Sequence, residues 1–412
     1  MKKNGCLLII FFLLPAILFA QKNALDYYLN RALTNSPLLK DYQNQIQQNL
    51  IDSERIVASY KPQVTGNSVN TFAPTYNGFG YDYATTNGGN FAELISVNKT
   101  LVGSNHLNAQ YETIRLQNQS LNNTSKISEQ DLKRTIMAQY ITTYGDLQQV
   151  NFNKQENELL KNEETVLKKL TVTNVYRQTD YLTFLVTLQQ QDLTLRQLQI
   201  QFQNDFATLN YLCGIIDTAT VSLEEPNIYL NNLPEISNSV FFQKYQIDSL
   251  QIINNKSLVN YSYKPKINLY ADAGFNSTFA YQAYKNFGTS FGISLTVPIY
   301  DGRQRQMQLT KLDIQERTRN NYKDFFTMQY TQQIAQLMRQ LHATESLIAD
   351  INKQIKYSES LVQVNAKLML TGDARITDYV LALNNYLTAK NLLTQNYISR
   401  MQIINQINYW NK

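Results

Sequence analysis

The sequence predicts a mainly α-helical chain with a smaller, transmembrane β part, built from two structural repeats. Gly and Pro are scarce, numbering 14 and 8 among 412 residues. Long segments carry apolar residues at helical spacing, and short motifs recur about 200 residues apart. Only 17% of residues are charged, and 85 Asn and Gln side chains outnumber the 69 charged ones. This composition excludes a collagen-like chain, a disulfide-stapled domain and a highly charged disordered tail.

The first element is a predicted secretory signal peptide at residues 1–20. Lys2 and Lys3 precede an apolar run that ends at Ala20. The run is shorter than the roughly 20 apolar residues that span a bilayer, and Pro15 interrupts it. We therefore expect cleavage after Ala20 and export of the mature chain, in preference to a membrane anchor.

Four motifs of the first half return, in the same order, in the second half. The first pair lies 203 residues apart, and the other three pairs lie 198 residues apart. The sequence therefore predicts a first repeat at 21–216, a linker at 217–236 and a second repeat at 237–412. The pairs are Tyr60-Lys61-Pro62 with Tyr263-Lys264-Pro265, Ile95-Ser96-Val97 with Ile293-Ser294-Leu295, Thr179-Asp180-Tyr181 with Thr377-Asp378-Tyr379, and Asn210-Tyr211-Leu212 with Asn408-Tyr409-Trp410.

Each repeat is predicted to contain a helix, a β-hairpin and two long helices. In the first repeat, helical periodicity stops at Lys61-Pro62, because the residue before a proline disfavours helix. We place hairpins at about 62–102 and 265–300 from their strand and turn signals. The long helices are expected at about 104–170 and 177–213 in the first repeat, and at about 303–368 and 375–410 in the second.

The second hairpin contains the clearest strand pattern. From residue 287 to residue 299, apolar residues alternate with small or polar ones, which predicts one lipid-compatible face. The predicted membrane-facing residues are Phe291, Ile293, Leu295, Val297 and Ile299. Aromatic residues at the strand ends predict an interfacial girdle, with loop packing as the alternative. They are Phe72, Tyr76, Phe279, Tyr281, Tyr284 and Phe287.

The long helical segments predict antiparallel coiled-coil pairs, joined by turns near Thr173 and Thr371. Segment 104–170 has no Pro and a single Gly, which corresponds to about 100 Å of helix at 1.5 Å per residue. In the last segment, a heptad starting at Ile376 has apolar or aromatic residues at eight of ten seam positions. A plain helix–helix core with no further role would show the same pattern of apolar residues.

The sequence offers no catalytic or metal-binding constellation, so we expect neither an enzyme nor a cofactor. His106 and His342 are far apart and lack cysteine or carboxylate partners at ligand spacing. Nucleophile-elbow, phosphate-loop and dinucleotide motifs are missing. Cys213 lies in an apolar segment and is predicted to be a small buried hydrophobic residue. Basic residues are dispersed along the helices, which argues against nucleic acid as a partner.

The predicted strands have the length of tilted transmembrane strands, roughly 9 to 11 residues. Four strands cannot close a barrel, and open edges in lipid would leave backbone groups unpaired. Membrane insertion would therefore require chains to associate, with eight strands from two chains or twelve from three.

The segment Leu295-Thr296-Val297-Pro298-Ile299-Tyr300-Asp301-Gly302-Arg303 resembles the strand-to-helix signature of TolC-like outer-membrane efflux proteins. The repeated Tyr-Lys-Pro motif and the turn Leu370-Thr371-Gly372 resemble that family too, over essentially the whole mature chain. The resemblance implies a homotrimer with one shared twelve-stranded barrel in outer-membrane lipid. It also implies a helical tunnel through the periplasm that meets an adaptor protein and an inner-membrane pump. The first hairpin departs from the signature, because it lacks the Asp-Gly pair.

The resemblance further implies a gate at the periplasmic helix turns, near Gly372. Asp378 falls where the family places an acidic gate residue, and Asp180 is its repeat equivalent. A ring of such carboxylates would attract cations. Arg177 and Arg375 would hold neighbouring turns closed through charge-assisted hydrogen bonds.

A local interpretation of the same residues remains open. Thr179 and Thr377 would be helix N-caps, and the following Asp would lie in the first helical turn, where the helix dipole favours a negative charge. For the whole protein, the main alternative function is an exported periplasmic coiled-coil scaffold without channel activity. The continuous apolar face at 287–299 argues against this scaffold, because a soluble hairpin would not need it.

Overall fold

The structure is a computed structural model that describes residues 24–74, 76–80, 88–216, 220–232, 239–278 and 283–411. The predicted signal peptide and the girdle candidates Phe279 and Tyr281 lie outside the described residues. Most described residues are helical. The helices are α1 (Leu25–Asn35), α2 (Pro37–Ser59), α3 (Ser104–Val172), α4 (Gln178–Leu212), α5 (Val240–Ser262), α6 (Gln304–Thr371) and α7 (Ile376–Tyr409).

Four strands form one antiparallel sheet in the order β1-β2-β3-β4. The strands are β1 (Gln63–Ala73), β2 (Gly88–Leu101), β3 (Lys266–Thr278) and β4 (Phe287–Thr296). The two hairpins are joined by pairing of β2 with β3, in the register Leu101↔Ile267. The fold is therefore the mainly helical one with a four-stranded sheet that the sequence predicts, and β1 and β4 are the edge strands of the sheet.

The last strand is shorter than the alternating pattern suggests. β4 ends at Thr296, which pairs with Lys266 at the start of β3. Val297 and Ile299 therefore lie after the strand, because Pro265 leaves no further strand residue to pair with them and Pro298 lacks a backbone N–H.

The predicted strand-to-helix turn at Asp301-Gly302-Arg303 is confirmed. Gly302 and Arg303 adopt positive φ values of 64° and 66°. The Asp301 carboxylate accepts hydrogen bonds from the backbone N–H groups of Arg303 (2.9 Å) and Arg305 (2.7 Å). These bonds satisfy free donors in the first turn of α6, so this sequence begins the helix at Gln304.

The chain divides into two compact units. One consists of Met1–Lys40, Lys126–Val240 and Phe326–Lys412, and the other consists of Asp41–Ser125 and Phe241–Phe325. Each unit thus contains segments of both predicted repeats. The second unit contains the whole sheet, and all four helical connections leave the sheet at the same end, where β1 and β3 begin and β2 and β4 finish.

The first unit is a set of packed helices with a buried aliphatic and aromatic core. Its largest cluster lies around the two turns, α3 to α4 and α6 to α7, and includes the fully buried Phe184 and Tyr379. A second cluster contains Cys213, whose thiol is buried as predicted. Burial raises the pKa of Cys213 to about 12, so the group stays a neutral thiol near pH 7.

Candidate functional site

The two long-helix turns have the same backbone design. Asn174, with φ of 62°, ends α3, and Gly372, with φ of 82°, ends α6 at the equivalent repeat position. Val175 N–H donates to Leu170 O at 2.9 Å, and Asp373 N–H donates to Leu368 O at 2.9 Å. A left-handed residue followed by this longer backbone bond is the Schellman ending of a helix.

Tyr176 joins the two turns to each other. Its hydroxyl lies 2.8 Å from Met369 O and 3.0 Å from Ala374 O, across the α6 to α7 turn. Val175 packs against Gly372, where an added Cβ would lie 3.0 Å from the Val175 side chain. The sequence analysis did not identify Tyr176, because its acceptors are backbone carbonyls almost 200 residues away.

The four charged candidates lie at these turns but do not bridge them. The Asp180 carboxylate accepts a hydrogen bond from Arg177 N–H at 3.2 Å, and Arg375 Nε lies 3.9 Å from the Asp378 carboxylate. The side chain of Arg375 is 87% exposed. Within one chain, each Asp therefore contacts the Arg of its own turn, and both arginine side chains are exposed.

The N-cap interpretation of the two threonines is wrong. The N-cap residues are Arg177 and Arg375, so Thr179 and Thr377 lie inside the first turns of α4 and α7. Arg177 and Arg375 have extended backbones, with ψ of 154° and 143°, which defines the point where each helix begins. The first-turn position of both aspartates is as predicted, and there they favourably face the positive end of the helix dipole.

A buried polar pair lies beneath the turns. The hydroxyl of the fully buried Tyr379 donates to the Glu163 carboxylate of α3, and its ring stacks on Phe184 with centroids 6.5 Å apart. Burial raises the pKa of Glu163, while the hydrogen bond from Tyr379 opposes this increase. The pair fixes α3 against α7 through a polar contact that the heptad pattern does not indicate.

The second candidate site is one face of the sheet. Phe291 pairs with Ala271, and Ala271 pairs through β2 with Val97 and then Val64, so one row of this face is apolar across all four strands. Its candidates are well exposed in the single chain: Phe291 is 88% exposed and Ile293 is 72% exposed. Leu295 also lies on this face and is exposed, as are Val297 and Ile299 beyond the strand.

The described girdle candidates are exposed aromatics near the hairpin ends. Phe72 and Phe287 lie on the same face as Phe291, because they differ from it by an even number of paired positions. Phe287 also packs edge-to-face on Phe275, with ring centroids 5.2 Å apart. Tyr76 and Tyr284 are 73% and 70% exposed in the hairpin loops.

The opposite face of the sheet is polar and small. Ser290 donates to the Asp272 carboxylate at 3.2 Å, and Asn67 donates to Ser96 at 3.4 Å. At Gly292 an added Cβ would lie 2.5 Å from the Tyr270 hydroxyl, so glycine leaves the space that this ring fills. Hydrogen bonds also occur on the face of Phe291, because the same register places Ser68, Asn70 and Glu93 there, and Ser68 and Asn70 both donate to the Glu93 carboxylate. That face is therefore mostly apolar in β4 and carries a polar cluster on β1 and β2.

A metal site and a membrane-spanning helix are both missing from the described part of the chain. Among the described residues, no three His, Cys, Asp or Glu side chains lie close enough together to hold a metal ion. The described helices also contain no stretch that is long and apolar enough to cross a bilayer.

Comparison with solved structures identifies the fold. VceC, an outer-membrane protein of Vibrio cholerae, matches with a TM-score of 0.74 at 13% identity, covering 94% of this chain and 96% of VceC. The CmeC outer-membrane channel of Campylobacter jejuni matches with a TM-score of 0.73 at 13% identity, covering 94% of this chain and 85% of CmeC. The open-state MtrE outer-membrane channel of Neisseria gonorrhoeae matches with a TM-score of 0.71 at 11% identity, covering 93% and 88% of the two chains.

Comparison of sequences alone finds no relative: no protein-family model matches this chain, and no curated protein matches it significantly. The structural matches nevertheless extend over almost the whole chain, including its helices and its sheet. The chain therefore has the fold of outer-membrane channels. The resemblance to TolC-like outer-membrane efflux proteins is confirmed at the level of the fold.

Proposed function

We propose that this protein is the outer-membrane channel component of an efflux or type I secretion system. It acts as a passive trimeric conduit that extends into the periplasm and is gated at its periplasmic helix turns. The observation that carries the proposal is the exposed apolar residues of β4, which lie on one face of the sheet. Phe291 and Ile293 are 88% and 72% exposed in the single chain. Contact of these side chains with water is unfavourable, whereas contact with lipid is favourable.

The topology of the sheet supports association of three chains. With the order β1-β2-β3-β4, strands β1 and β4 have unpaired edges, which hydrocarbon does not tolerate. Pairing of β4 in one chain with β1 in the next leaves no free edge once the ring closes. Three chains supply twelve strands, which agrees with the family resemblance.

The turns support the proposed gate. They expose Arg177, Arg375 and Asp378, and they end long helices at one shared cluster held by Tyr176. In a threefold assembly these residues form rings of charge at which a small rearrangement of helices would change the opening. Apolar side chains at the same turns, including Val172 at 78% exposure and Leu370 at 56%, provide contact area for an adaptor protein that links the channel to an inner-membrane pump.

The proposal is tested by fractionation and conductance. We expect the mature protein to fractionate with outer membranes as a trimer that dissociates on heating in detergent, and to give discrete conductance steps in planar bilayers. A monomer that stays in the soluble periplasmic fraction and gives no conductance would contradict the proposal and favour the coiled-coil scaffold.

A further inference from the structure

A cavity of about 420 Å³ lies in the sheet-containing unit, where the strands meet the helices. Two chain segments form most of its wall: the end of β2 with the start of α3, and the end of α5 with the start of β3. Its volume falls within the range of small-ligand sites. The lining residues are Tyr60, Thr100, Leu101, Val102, Gly103, Ser104, Asn105, His106, Tyr261, Lys264, Pro265 and Lys266.

The lining is cationic. Lys264 and Lys266 both border the cavity, and its wall contains no carboxylate. Both lysines are exposed, and neither has a carboxylate oxygen within 4.0 Å among the described residues. By contrast, Lys256 in the same unit has such a partner, because its Nζ lies 2.6 Å from the Asp313 carboxylate. Two like charges at one cavity repel each other, and a bound anion would remove this cost.

Aromatic contacts position one of these lysines. Lys264 Nζ lies 4.7 Å from the centroid of the Tyr261 ring, and His106 stacks on the same ring at 6.0 Å. Burial and the charge of Lys266 lower the pKa of His106, so this imidazole is neutral near pH 7. The positive charge of the site therefore comes from the two lysines, and the neutral donors Ser104 and Asn105 also line the cavity.

We propose that this cavity is an anion site for a phosphate group, borne by a phospholipid headgroup or supplied as free phosphate. Lysine ammonium, hydroxyl and amide groups are donors suited to phosphate oxygens. Leu101, which borders the cavity, pairs with Ile267 on the apolar face of the sheet, so an acyl chain attached to the phosphate has apolar surface beside it.

The test measures binding to the full mature chain in a non-ionic detergent. The ligands are inorganic phosphate, short-chain phosphatidylglycerol and short-chain diacylglycerol, which lacks phosphate, at equal ionic strength with chloride. We expect saturable binding of at least one phosphate ligand and none of diacylglycerol. Stronger binding of phosphatidylglycerol identifies the lipid as the source, and equal binding of both phosphate ligands identifies the free anion.

The variant Lys264→Gln/Lys266→Gln should weaken this binding by about 25-fold, because each lysine near an anionic headgroup contributes about fivefold. The matched control is Lys168→Gln/Lys169→Gln, which removes two exposed lysines from the last turns of α3 and should bind as the unaltered protein does. Circular dichroism verifies that both variants are folded. The proposal is overturned if no phosphate ligand binds saturably, if the Lys264/Lys266 variant binds normally, or if the control loses affinity equally.

Discussion

Asp146 is a buried carboxylate in α3, only 9% exposed. Its Oδ2 atom has no hydrogen-bond donor among the described residues. The neighbouring Asp205 accepts hydrogen bonds from Gln139 and Gln201. Burial, then the hydrogen bond and charge of Asp205, raise the pKa of Asp146 to about 7. Below about pH 7, Asp146 is therefore protonated in the folded chain.

This pair predicts a pH-dependent stability. The pKa of Asp146 is about 7 in the folded chain, whereas its ordinary value, which applies to the unfolded chain, is 3.8. Between these two pH values the folded state binds more protons than the unfolded state does. The free energy of unfolding should fall as the pH rises from about 4 to about 7. Asp146→Asn should remove this fall and stabilise the protein by about 1–3 kcal/mol at pH 8.

Thermal unfolding followed by circular dichroism at pH 5 and pH 8 measures this effect. The control Asp41→Asn replaces an exposed carboxylate that contacts Gln45 and should change neither midpoint appreciably. An Asp146→Asn midpoint below that of the unaltered protein at pH 8 would contradict the raised pKa of Asp146 as the cause of the pH dependence.

Asp378 allows a direct test of the proposed gate. Its side chain is 57% exposed, and its carboxylate lies 3.9 Å from Arg375 Nε, which is a long distance for an ion pair. The charge of Asp378 is therefore accessible to ions in solution. Asp378→Asn should lower the cation preference of single channels by about two- to fivefold, because an exposed charge contributes of the order of 1 kcal/mol. Trimer formation should be unaffected.

Asp350→Asn is the matched control, since Asp350 is an exposed carboxylate on α6 paired with Lys353. Its selectivity should equal that of the unaltered channel. If Asp378→Asn also leaves selectivity and cation block unchanged, the acidic ring is rejected, and the first-turn position remains as the explanation of this residue.

At the scale of elements, the helix turns depend on backbone conformations that few residues adopt. Gly372→Ala should destabilise the α6 to α7 turn by about 1–2 kcal/mol, because φ is 82° and the new Cβ would lie 3.0 Å from Val175. Hydrogen exchange of the turn amides should show the loss. Asn174→Gly at the equivalent turn should be neutral or slightly stabilising.

Gly103→Ala is the control for this substitution, because an added Cβ meets nothing within 4 Å there and φ is not in the left-handed region. Equal exchange rates in Gly372→Ala and the unaltered protein would show that the turn tolerates a side chain. The family resemblance at this glycine would then have no conformational basis.

The sheet is the element that the proposal places in lipid. The test uses a Trp410→Phe background, which removes the only tryptophan of the chain. In the variant Phe287→Trp, lipid-attached probes should quench the tryptophan fluorescence, because residue 287 lies on the same face of the sheet as Phe291. Tyr357→Trp, at a residue 75% exposed on α6, should not be quenched. Equal quenching of the two, or none at either site, would count against insertion of this face.

At the scale of the whole molecule, the two long-helix turns are alike, as the predicted repeats imply. Arg177 and Arg375 are both N-caps, and Asp180 and Asp378 both lie in a first turn, at the predicted offset. The repeats are not identical, since Tyr176 reaches across to the second turn while its equivalent is Ala374. Tyr176 therefore joins both turns, and the second turn has no equivalent tyrosine.

The sequence by itself determined the helices, the hairpins and the turns, because periodicity, proline positions and turn residues act on neighbours within a few positions. It also indicated the apolar strand face through the alternation at 287–299, of which β4 contains the part up to Thr296. Only the tertiary structure decided the pairing of β2 with β3, the Tyr176 bond between the turns and the Asp146–Asp205 pair. These contacts join residues 59 to 198 positions apart in the sequence, and no local pattern specifies which distant groups meet.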